Sequence, residues 1–486
     1  SGAVARITLT QPEVRNAFSD AVIAAIEFQS GVPLVQQIVE QLSIAISQGG
    51  LPHGAKLPPI RELSELMNVG KSTVVDALDR LRAKGLVVSR QGSGHYVHRS
   101  TLTITTDAGP DLQPQDTLSV VRRAVLQDTG ALRPGAGFLP SSWLPAEELL
   151  KAVRGTLRAA SLQMGEYGVA AGYVPLREAL RVKLAAIGIE VPLDQIVTTA
   201  NTVQAIDMLM RLLVKPGDTV LLDDPCYITM HTNLALHGAR VITIPRGADG
   251  MDMEAFEQLV SSQRPVLYMT NNVLHNPTSH SFSPAQVYRL LELSHRYGFH
   301  IVEDDLYCDL QQRMTPRLAA GGLDNVTYIS GFSKTLTANS RVSFAVLSPQ
   351  LAARMVTLKM ACGGMTSELA EQIVCTMLSD GSYAKHTRRT VDRLYESSSR
   401  VSGWLIEAGC SVSSRPHEGL YIWTRLPDGL HAETLARKGM DIDLVLAPGT
   451  LLSKAPQASQ FMRFNVAHSD NFQVRERFFR LLDNNR

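Results

Sequence analysis

The chain has 486 residues, of which 44% are hydrophobic and 19% are charged, and its formal net charge is +1. The length predicts more than one domain, and the composition is typical of a globular protein rather than a disordered or fibrous one. A net charge so close to zero excludes a polycation, so any surface that binds nucleic acid must be local.

Five cysteines are spread along the chain without the close spacing of a metal site or a disulfide framework: Cys226, Cys308, Cys362, Cys375 and Cys410. This pattern suits a reducing, cytoplasmic setting, and neither a structural metal nor a disulfide network is expected. No apolar run is long enough to span a bilayer, so we expect no membrane segment.

Residues 1–29 fit poorly with the rest of the chain. Residues 5–19 resemble the opening strand and turn of the crotonase family, but the oxyanion-hole glycines of that family do not follow. We therefore predict a leader or fusion-like segment here and infer no acyl-CoA chemistry.

A compact unit is predicted over residues 30–99. Apolar residues at helical spacing, prolines at a helix start and glycines at helix ends predict its elements. These are a helix over 32–46, a short helix over 57–67, a tight turn at 68–70, a helix over 71–84 and two strands within 86–97 around a glycine-rich tip. Helix, helix, turn, helix and β-hairpin is the order of a winged helix-turn-helix.

Charged and small polar residues lie where such a unit would meet DNA. Residues 31–99 carry eight Lys or Arg against five Asp or Glu, a net of +3, which is modest and consistent with dimeric binding. The candidate DNA contacts are Arg61 on the second helix, Lys71, Ser72 and Thr73 at the start of the third, and Arg90, Gly92, Gly94 and His95 around the tip. The alternative is a small helical subdomain with solvated charges.

Three strings of this unit resemble the GntR family of bacterial repressors: Leu57-Pro-Pro-Ile-Arg-Glu-Leu63, the turn into Lys71-Ser-Thr-Val74, and Arg90-Gln-Gly-Ser-Gly-His-Tyr-Val97. Together they cover nearly the whole unit. The resemblance implies that the unit binds double-stranded operator DNA through its third helix and its wing.

Residues 100–128 lose periodicity and gain Pro, Gly and Asp, which predicts a linker. From residue 129 to 486, apolar strand-like runs alternate with longer helical stretches, a pattern typical of an α/β fold with a largely parallel sheet. The runs lie at 220–222, 241–244, 266–269, 300–304, 326–330 and 342–347. Functional residues are expected at the carboxyl ends of such strands.

The central motif of the second domain is Ser330-Gly-Phe-Ser-Lys334, with Arg341 seven residues after the lysine. A lysine amine beside fixed positive charge deprotonates near neutral pH and condenses with an aldehyde. The hydroxyl of Ser333 and the charge of Arg341 would hold a phosphate. These features predict an anchor for pyridoxal 5′-phosphate (PLP), with Lys334 as the catalytic residue. The alternative is a solvated surface lysine.

Partners for the PLP ring occur elsewhere in the chain. Asp304 closes one strand-like run and would pair with the pyridine nitrogen, which keeps the ring an electron sink. Tyr307 and Asn276 would hydrogen-bond the phenolic oxygen, and Tyr227 would stack on the ring face. The alternatives are an acidic pair at a strand end, a turn signal and a tyrosine that caps a core.

Two further positions are predicted to bind anions. The backbone amides at Asn201 and Thr202, with the Thr202 hydroxyl beside them, start a helix and would receive the phosphate. Arg463 lies between apolar neighbours near the C-terminus, and a buried arginine needs an anion, which the carboxylate of a substrate or effector would supply. A structural salt bridge is the alternative for Arg463.

The order and spacing of these elements over about residues 130–486 resemble the fold-type I, aspartate aminotransferase-like PLP enzymes. The resemblance includes Tyr167, whose counterpart in that family reaches the phosphate of the neighbouring subunit, and it therefore implies a head-to-tail homodimer. Gly331 departs from the family, which usually has a Ser or Thr hydroxyl there for the phosphate, and glycines of the family pattern are replaced at Asn201, Ser279 and Ser343. The phosphate cup is therefore expected to be weaker or differently built, although PLP is still expected to bind.

A GntR-type winged helix joined by a linker to such a domain resembles the MocR subfamily of transcriptional regulators, including its GabR type. The main hypothesis is a PLP-dependent regulator in which an amino acid or amine effector displaces Lys334 from an aldimine while Arg463 holds the effector's carboxylate. This change would re-space the paired winged helices on DNA. The alternatives are an active aminotransferase that also binds DNA, a PLP-free DNA-binding dimer, and a regulator for which PLP itself is the signal.

Overall fold

The computed structural model describes residues 23, 31–47, 50–51, 53–90, 93–98, 131–158, 165–247, 250–412 and 418–485. The chain forms two compact units, Ser1–Gln115 and Asp116–Arg486. The predicted leader apart from Ile23, the predicted linker and Gly92 lie outside the described residues, as does the side chain of Arg90.

The N-terminal unit contains three helices and a hairpin. The helices are α1 (Leu34–Ser47), α2 (Ile60–Leu66) and α3 (Lys71–Ala83), and the antiparallel strands are β1 (Val87–Arg90) and β2 (Gly94–Val97). Pro59 precedes the first turn of α2, and Asn68, at φ +50°, turns the chain toward α3. Leu63, Leu78 and Leu81 are among the residues of its core. The predicted winged helix-turn-helix order is confirmed.

The large unit is built on an eight-stranded sheet. Its strands are β3 (Ile196–Thr199), β4 (Thr219–Asp224), β5 (Arg240–Gly247), β6 (Gly250–Met251), β7 (Leu267–Thr270), β8 (His300–Asp304), β9 (Val326–Gly331) and β10 (Ser343–Val346). The spatial order is β3-β10-β9-β8-β7-β4-β5-β6, and only β10 and β6 run against the others. The predicted largely parallel sheet is confirmed.

Helices cover both faces of this sheet. They are α4 (Ala146–Arg158), α5 (Val174–Ala185), α6 (Thr202–Leu213), α7 (Ile228–Leu236), α8 (Met253–Gln263), α9 (Pro284–Tyr297), α10 (Pro349–Ala361), α11 (Glu368–Ser379) and α12 (Ser382–Glu407). Successive strand residues point to opposite faces of the sheet. Tyr268 and Ile301 therefore belong to the hydrophobic core between one face and helices α5, α8 and α9. Met269 and Val302 join the cluster under α6 and α10. This two-sided burial explains why the central strands carry apolar residues on both faces, as at Leu221 and Leu222 of β4.

A smaller antiparallel sheet follows. Its strands are β11 (Ser411–Val412), β12 (Tyr421–Arg425), β13 (Ala447–Pro448) and β14 (Phe461–Asn465), in the order β11-β12-β14-β13, with helices α13 (Ala432–Met440), α14 (Val466–Ser469) and α15 (Phe472–Asp483). Trp404 of α12 packs edge-on against Phe464 and Phe478 at 5.7 Å in the core of this part. Residues 131–139 run beside this sheet, where the Leu132 amide donates to Asp443 and the Gly135 amide to Val445.

Membrane-spanning and metal-binding features are absent from the part of the chain that the structure describes. No helix there is long and apolar enough to cross a membrane, and no three His, Cys, Asp or Glu side chains are grouped so that they could hold a metal ion. All five cysteines are free thiols.

Candidate functional site

The start of α3 presents the three polar residues that the sequence analysis assigned to DNA contact. Gly70, in extended conformation, precedes the helix. Lys71 and Ser72 are exposed and Thr73 is half-buried, while Val74 packs into the core. The helix start therefore offers a positive charge, two hydroxyls and free backbone amides on one exposed surface, a combination that suits phosphate and base-edge contacts.

The other described DNA-contact candidates lie on α2 and on the hairpin. Arg61 is exposed, and its Nε lies 3.3 Å from Glu65 Oε1 in a surface pair that holds the side chain only weakly. At the hairpin, a His95 ring nitrogen hydrogen-bonds the Ser89 hydroxyl at 3.0 Å. Gly94 has φ +107°, a conformation that a side chain would strain. Arg61 and His95 keep their polar ends at the surface.

A cavity of about 460 Å³ opens at the carboxyl ends of the strands of the large sheet. Ten of the eleven residues predicted to bind the cofactor or the effector line it: Asn201, Thr202, Tyr227, Asn276, Asp304, Tyr307, Ser333, Lys334, Arg341 and Arg463. Tyr167 is the exception, because its side chain is 93% exposed on this chain and does not reach the cavity. The strand ends bring together residues that are up to 262 positions apart in sequence, from Asn201 to Arg463.

Lys334 follows β9 and points into this cavity. Its Nζ donates a 2.6 Å hydrogen bond to the carbonyl of Gly137. Burial, together with the nearby positive charge of Arg463, lowers the pKa of Lys334 to about 8, although Asp304 partly opposes the shift. A much larger fraction of Lys334 than of an exposed lysine is therefore the neutral, nucleophilic amine near physiological pH.

Asp304 ends β8 on the floor of the cavity. Burial and the neighbouring Asp305 raise the pKa of its carboxyl to about 7, while a backbone hydrogen bond from Leu306 opposes the rise. One carboxylate oxygen, Oδ1, is buried and has no hydrogen-bond partner among the described residues. A protonated pyridine nitrogen would supply both the missing donor and the missing positive charge, so this carboxylate fits the PLP ring.

Arg463, on β14, is a second cation that lines the cavity. Its Nη1 donates to Asn276 Oδ1 at 2.9 Å and its Nη2 donates to the Gly135 carbonyl at 2.8 Å. Its guanidinium carbon lies 4.4 Å from the centre of the Tyr421 ring, and its buried Nε has no partner among the described residues. No carboxylate of the described chain lies within ion-pair distance of Arg463, so no structural salt bridge forms among those residues, and the binding of a ligand carboxylate by Arg463 stays a prediction.

Asn276 and Tyr307 also line the cavity. The Asn276 backbone amide donates to the Asn271 side chain at 2.8 Å, which fixes the loop after β7. The Tyr307 hydroxyl shares a 3.1 Å hydrogen bond with the hydroxyl of Tyr421. These side chains bring an amide and phenol groups to one wall, where they suit an oxygen on an aromatic ring.

The expected phosphate end of the cavity lies at the start of α6. Asn201 caps this helix, and its side-chain oxygen accepts from the Gln204 amide at 2.9 Å. Thr202, Ser333 and Arg341 also line the cavity. Two hydroxyls, a guanidinium and a helix N-terminus are groups that suit a phosphate, so this assignment stays a prediction.

Gly331 and Ser343 face each other across β9 and β10. A Cβ added at Gly331 would lie 2.1 Å from Ser343 Oγ, so the serine side chain fills the space that a side chain at position 331 would occupy. Ser343 Oγ is buried without a partner in the described chain. The serine at position 343 and the glycine at position 331, both departures from the family pattern, therefore depend on each other, because the Ser343 side chain fills the space beside Gly331.

Two parts of the site had no counterpart in the sequence analysis. Arg246, fully buried, donates to Asp223 at 2.9 Å and to the carbonyls of Asn271, Asn272 and His280, which brace both ends of the loop that carries Asn276. Residues 135–138, which we call the strap, accept hydrogen bonds from both Lys334 and Arg463. The closely spaced glycines of the strap were its only sequence signal.

Comparison with known proteins agrees with this geometry. Residues 135–478 match the model of the family described as "Aminotransferase class I and II", and residues 34–97 match that of "Bacterial regulatory proteins, gntR family". The uncharacterized HTH-type transcriptional regulator YdcR of Escherichia coli (strain K12) is 26% identical over 453 residues, which cover 89% of this chain and 94% of that protein. The probable rhizopine catabolism regulatory protein MocR of Rhizobium meliloti is 28% identical, over 76% of each chain.

Among solved structures, the chain is similar to the α-aminoadipate aminotransferase LysN from Thermus thermophilus, complexed with N-(5′-phosphopyridoxyl)-L-leucine. The TM-score is 0.67 and the sequence identity 26%, and the match covers 76% of this chain and 95% of that one. The large unit therefore has the fold-type I aminotransferase fold, as expected.

Proposed function

The chain belongs to the aminotransferase class I and II family and is a MocR-type transcriptional regulator with a GntR helix-turn-helix region, and from this premise we propose that it senses an amino acid or amine through Lys334. Membership of the family implies PLP binding. PLP supplies an aldehyde that condenses with primary amines and a ring that withdraws electrons. The observation that carries the proposal is the convergence of Lys334, Asp304, Asn276, Arg341 and Arg463 on one cavity.

Four of these residues have separate tasks in the proposal. The Lys334 amine, neutral above a pKa of about 8, anchors the cofactor. Asp304 accepts from the ring nitrogen, and Arg341 with the start of α6 holds the phosphate. Arg463 binds the effector's carboxylate in a bidentate manner, which suits the planar geometry of its guanidinium.

The strap offers a route from this cavity toward the DNA-binding unit. Its carbonyls at Gly135 and Gly137 accept from Arg463 and Lys334, and the Asn465 side chain donates to the strap carbonyls of Ala136 and Phe138. An effector that binds Arg463 and displaces Lys334 from the cofactor would change the hydrogen bonds that both side chains make to the strap. The strap follows residues 100–128 in sequence, so we propose that its position is coupled to DNA binding.

A homodimer is part of the proposal. Tyr167 is 93% exposed and Val169 is 55% exposed on the single chain, which leaves apolar surface uncovered. A second copy that covers this segment would place Tyr167 beside the partner's phosphate site. Two winged helices per dimer would then bind two DNA half-sites, whose spacing the large units control.

Peptide mapping tests the cofactor anchor without any mutation. PLP-loaded protein is reduced with sodium borohydride, digested, and searched by mass spectrometry for a phosphopyridoxyl group. We expect the group on Lys334. Lys359 is a matched internal control, since burial lowers its pKa to about 8 as well, yet its Nζ donates to the Thr198 carbonyl at 2.6 Å and it does not line the cavity. A label on Lys359, or on no lysine, would refute the assignment.

A further inference from the structure

Lys334 and Asp304, the two residues proposed to hold opposite ends of the PLP ring, lie on neighbouring strands. Asp304 ends β8 and Lys334 follows β9, and the two strands run parallel, with Asp304 paired to Ile329. The orientation of a ring that is held at both ends depends on how accurately the two holding residues are fixed relative to each other. Side chains that connect the two chain segments beyond these strand ends therefore affect the site.

The start of α12 contacts the residue that follows Lys334 at two points. The Tyr383 hydroxyl lies 2.6 Å from the Thr335 hydroxyl, and His386 Nε2 donates to the Thr335 carbonyl at 2.7 Å. The Tyr383 ring also packs edge-on against Phe332, with the ring centres 5.4 Å apart. The start of α12 therefore holds the chain on both sides of Lys334.

Tyr383 also reaches the segment that follows Asp304. Its hydroxyl donates to Asp309 Oδ2 at 2.5 Å, and Asp309 lies in the short helical turn Cys308–Leu310 after β8. Because the single phenolic proton goes to this carboxylate, the Thr335 hydroxyl donates to the Tyr383 oxygen. The hydrogen bonds therefore run in one direction, from Thr335 through Tyr383 to Asp309.

Asp309 is kept ionised by Lys183 of α5. Burial by itself would raise the pKa of Asp309, but the positive charge of Lys183 and the hydrogen bonds from Lys183 and Tyr383 lower that pKa below its ordinary value. Lys183 donates directly to Asp309 Oδ1 and forms an ion pair with it. A hydrogen bond to an ionised acceptor is roughly twice as strong as one between neutral groups, so Asp309 holds the Tyr383 hydroxyl firmly.

These side chains lie behind the cavity rather than in its wall. Thr335 and Tyr383 are 1% and 4% exposed, and neither is among the residues of the described chain that line the cavity. At such burial, water does not readily replace a hydrogen bond that is lost. Any effect of Tyr383 on a ligand in the cavity therefore acts through Lys334 and Asp304.

We propose that Tyr383 is a positioning residue, which fixes Lys334 relative to Asp304 through Thr335 and Asp309 and thereby sets the orientation of the PLP ring between them. The inference rests on the proposed function, because it requires PLP to be attached to Lys334. All the side chains of this connection belong to one chain, so the inference does not depend on what a second subunit adds to the cavity.

The first readout is the visible circular dichroism of the full-length, PLP-loaded protein, divided by the amount of bound PLP. Free PLP is achiral, so this amplitude reports how firmly the protein orients the ring, and partial loss of PLP does not change it. Tyr383→Phe keeps the ring that packs on Phe332 and loses the hydroxyl. We expect it to lower the amplitude at least about 2-fold.

The second readout is the rate at which the apoprotein takes up PLP, measured over a range of PLP concentrations. A misplaced lysine slows the attack on the aldehyde without weakening the first encounter with PLP. Tyr383→Phe should therefore lower the limiting rate at saturating PLP at least about 10-fold and leave the half-saturating concentration within about 2-fold of the parent value.

Variants of Thr335 separate the hydroxyl contact from packing. Thr335→Val keeps the shape of the side chain without the hydroxyl and should reproduce both changes, whereas Thr335→Ser keeps the hydroxyl and should resemble the parent. Adding Tyr383→Phe to Thr335→Val should have little further effect, because both changes break the same connection. Tyr297→Phe is the control, since it removes a hydroxyl that donates to Glu257 at 3.2 Å on α9, and it should leave both readouts unchanged.

Unchanged amplitude and limiting rate in Tyr383→Phe, with PLP attached to Lys334, would overturn the inference and leave the proposed function standing. Equal losses in Thr335→Val and Thr335→Ser would also overturn it, because the hydroxyl would then not be responsible. The two Thr335 variants decide the question if Tyr383→Phe does not fold. If borohydride reduction places no PLP on Lys334 of the parent protein, the proposed function fails and the inference fails with it.

Discussion

The lowered pKa of Lys334 predicts how quickly the apoprotein takes up PLP at different pH values. Only the neutral amine attacks an aldehyde, so the rate should rise with pH and level off above the pKa of about 8. At pH 7.5 a pKa of about 8 leaves roughly a quarter of the lysine neutral, against roughly one part in a thousand for the ordinary value of 10.5. The cavity therefore makes the free amine roughly two orders of magnitude more abundant than it is in an exposed lysine.

The assay mixes apoprotein with PLP between pH 6 and pH 10 and follows the visible absorption of the bound cofactor, with Nα-acetyl-lysine as the reference amine. The two charged neighbours should shift the midpoint in opposite directions. Arg463→Gln removes a cation, so the pKa of Lys334 and the midpoint should rise, whereas Asp304→Asn removes an anion, so both should fall. A midpoint near that of Nα-acetyl-lysine, or shifts of the same sign in both variants, would refute the electrostatic reasoning.

Three further predictions concern packing, a buried charge and DNA. Gly331→Ala should lower the free energy of unfolding by more than about 2 kcal/mol, because the added Cβ overlaps Ser343 Oγ. Adding Ser343→Gly to the same chain should restore much of this loss, as measured by a double-mutant cycle of urea unfolding. Additive losses in the two single variants would disprove the coupling. Arg246→Met leaves the buried carboxylate of Asp223 unpaired and should lower the free energy of unfolding by about 3–5 kcal/mol. The same change at Arg181, which pairs with Glu178 at the surface, should lower it by less than about 1 kcal/mol. Equal losses in urea unfolding would contradict this account. Lys71→Ala should reduce the salt dependence of DNA binding by about one phosphate contact, measured by fluorescence anisotropy across salt concentrations, and an unchanged slope would remove Lys71 from the interface.

Sequence reasoning reached the residues that lie directly at strand ends. Lys334, Asp304 and Asn276 each follow an apolar run, and the carboxyl ends of parallel strands meet at one edge, so their convergence could be expected from order alone. The three helices of the N-terminal unit were likewise predicted, with limits that differ by a few residues. For example, α2 begins at Ile60 because the fixed backbone of Pro59 precedes its first turn.

The supporting contacts were not predictable in the same way. Arg246 was missed because most of its hydrogen bonds go to backbone carbonyls. Every residue has a carbonyl, so no residue type in the sequence marks these partners. The strap was missed for the same reason, since Lys334 contacts a carbonyl 197 positions away. The link between Gly331 and Ser343 requires the strand register, which brings residues twelve positions apart face to face. Tyr167 stays a prediction, because its expected partner lies on a second copy of the chain.

The coupling of effector binding to DNA binding is the central claim, and it can be measured with a labelled DNA duplex that the protein itself selects from a random pool. Fluorescence anisotropy gives the DNA affinity of the PLP-loaded protein with and without the amino acid that most changes the absorption spectrum of the cofactor. It is measured in the parent chain, in Lys334→Ala and in the exposed-lysine control Lys385→Ala. We expect the amino acid to change the DNA affinity at least about 5-fold in the parent and the control and to have no effect in Lys334→Ala. An unchanged affinity in the parent chain, or an intact response in Lys334→Ala, would contradict the claim that this protein senses its effector through Lys334.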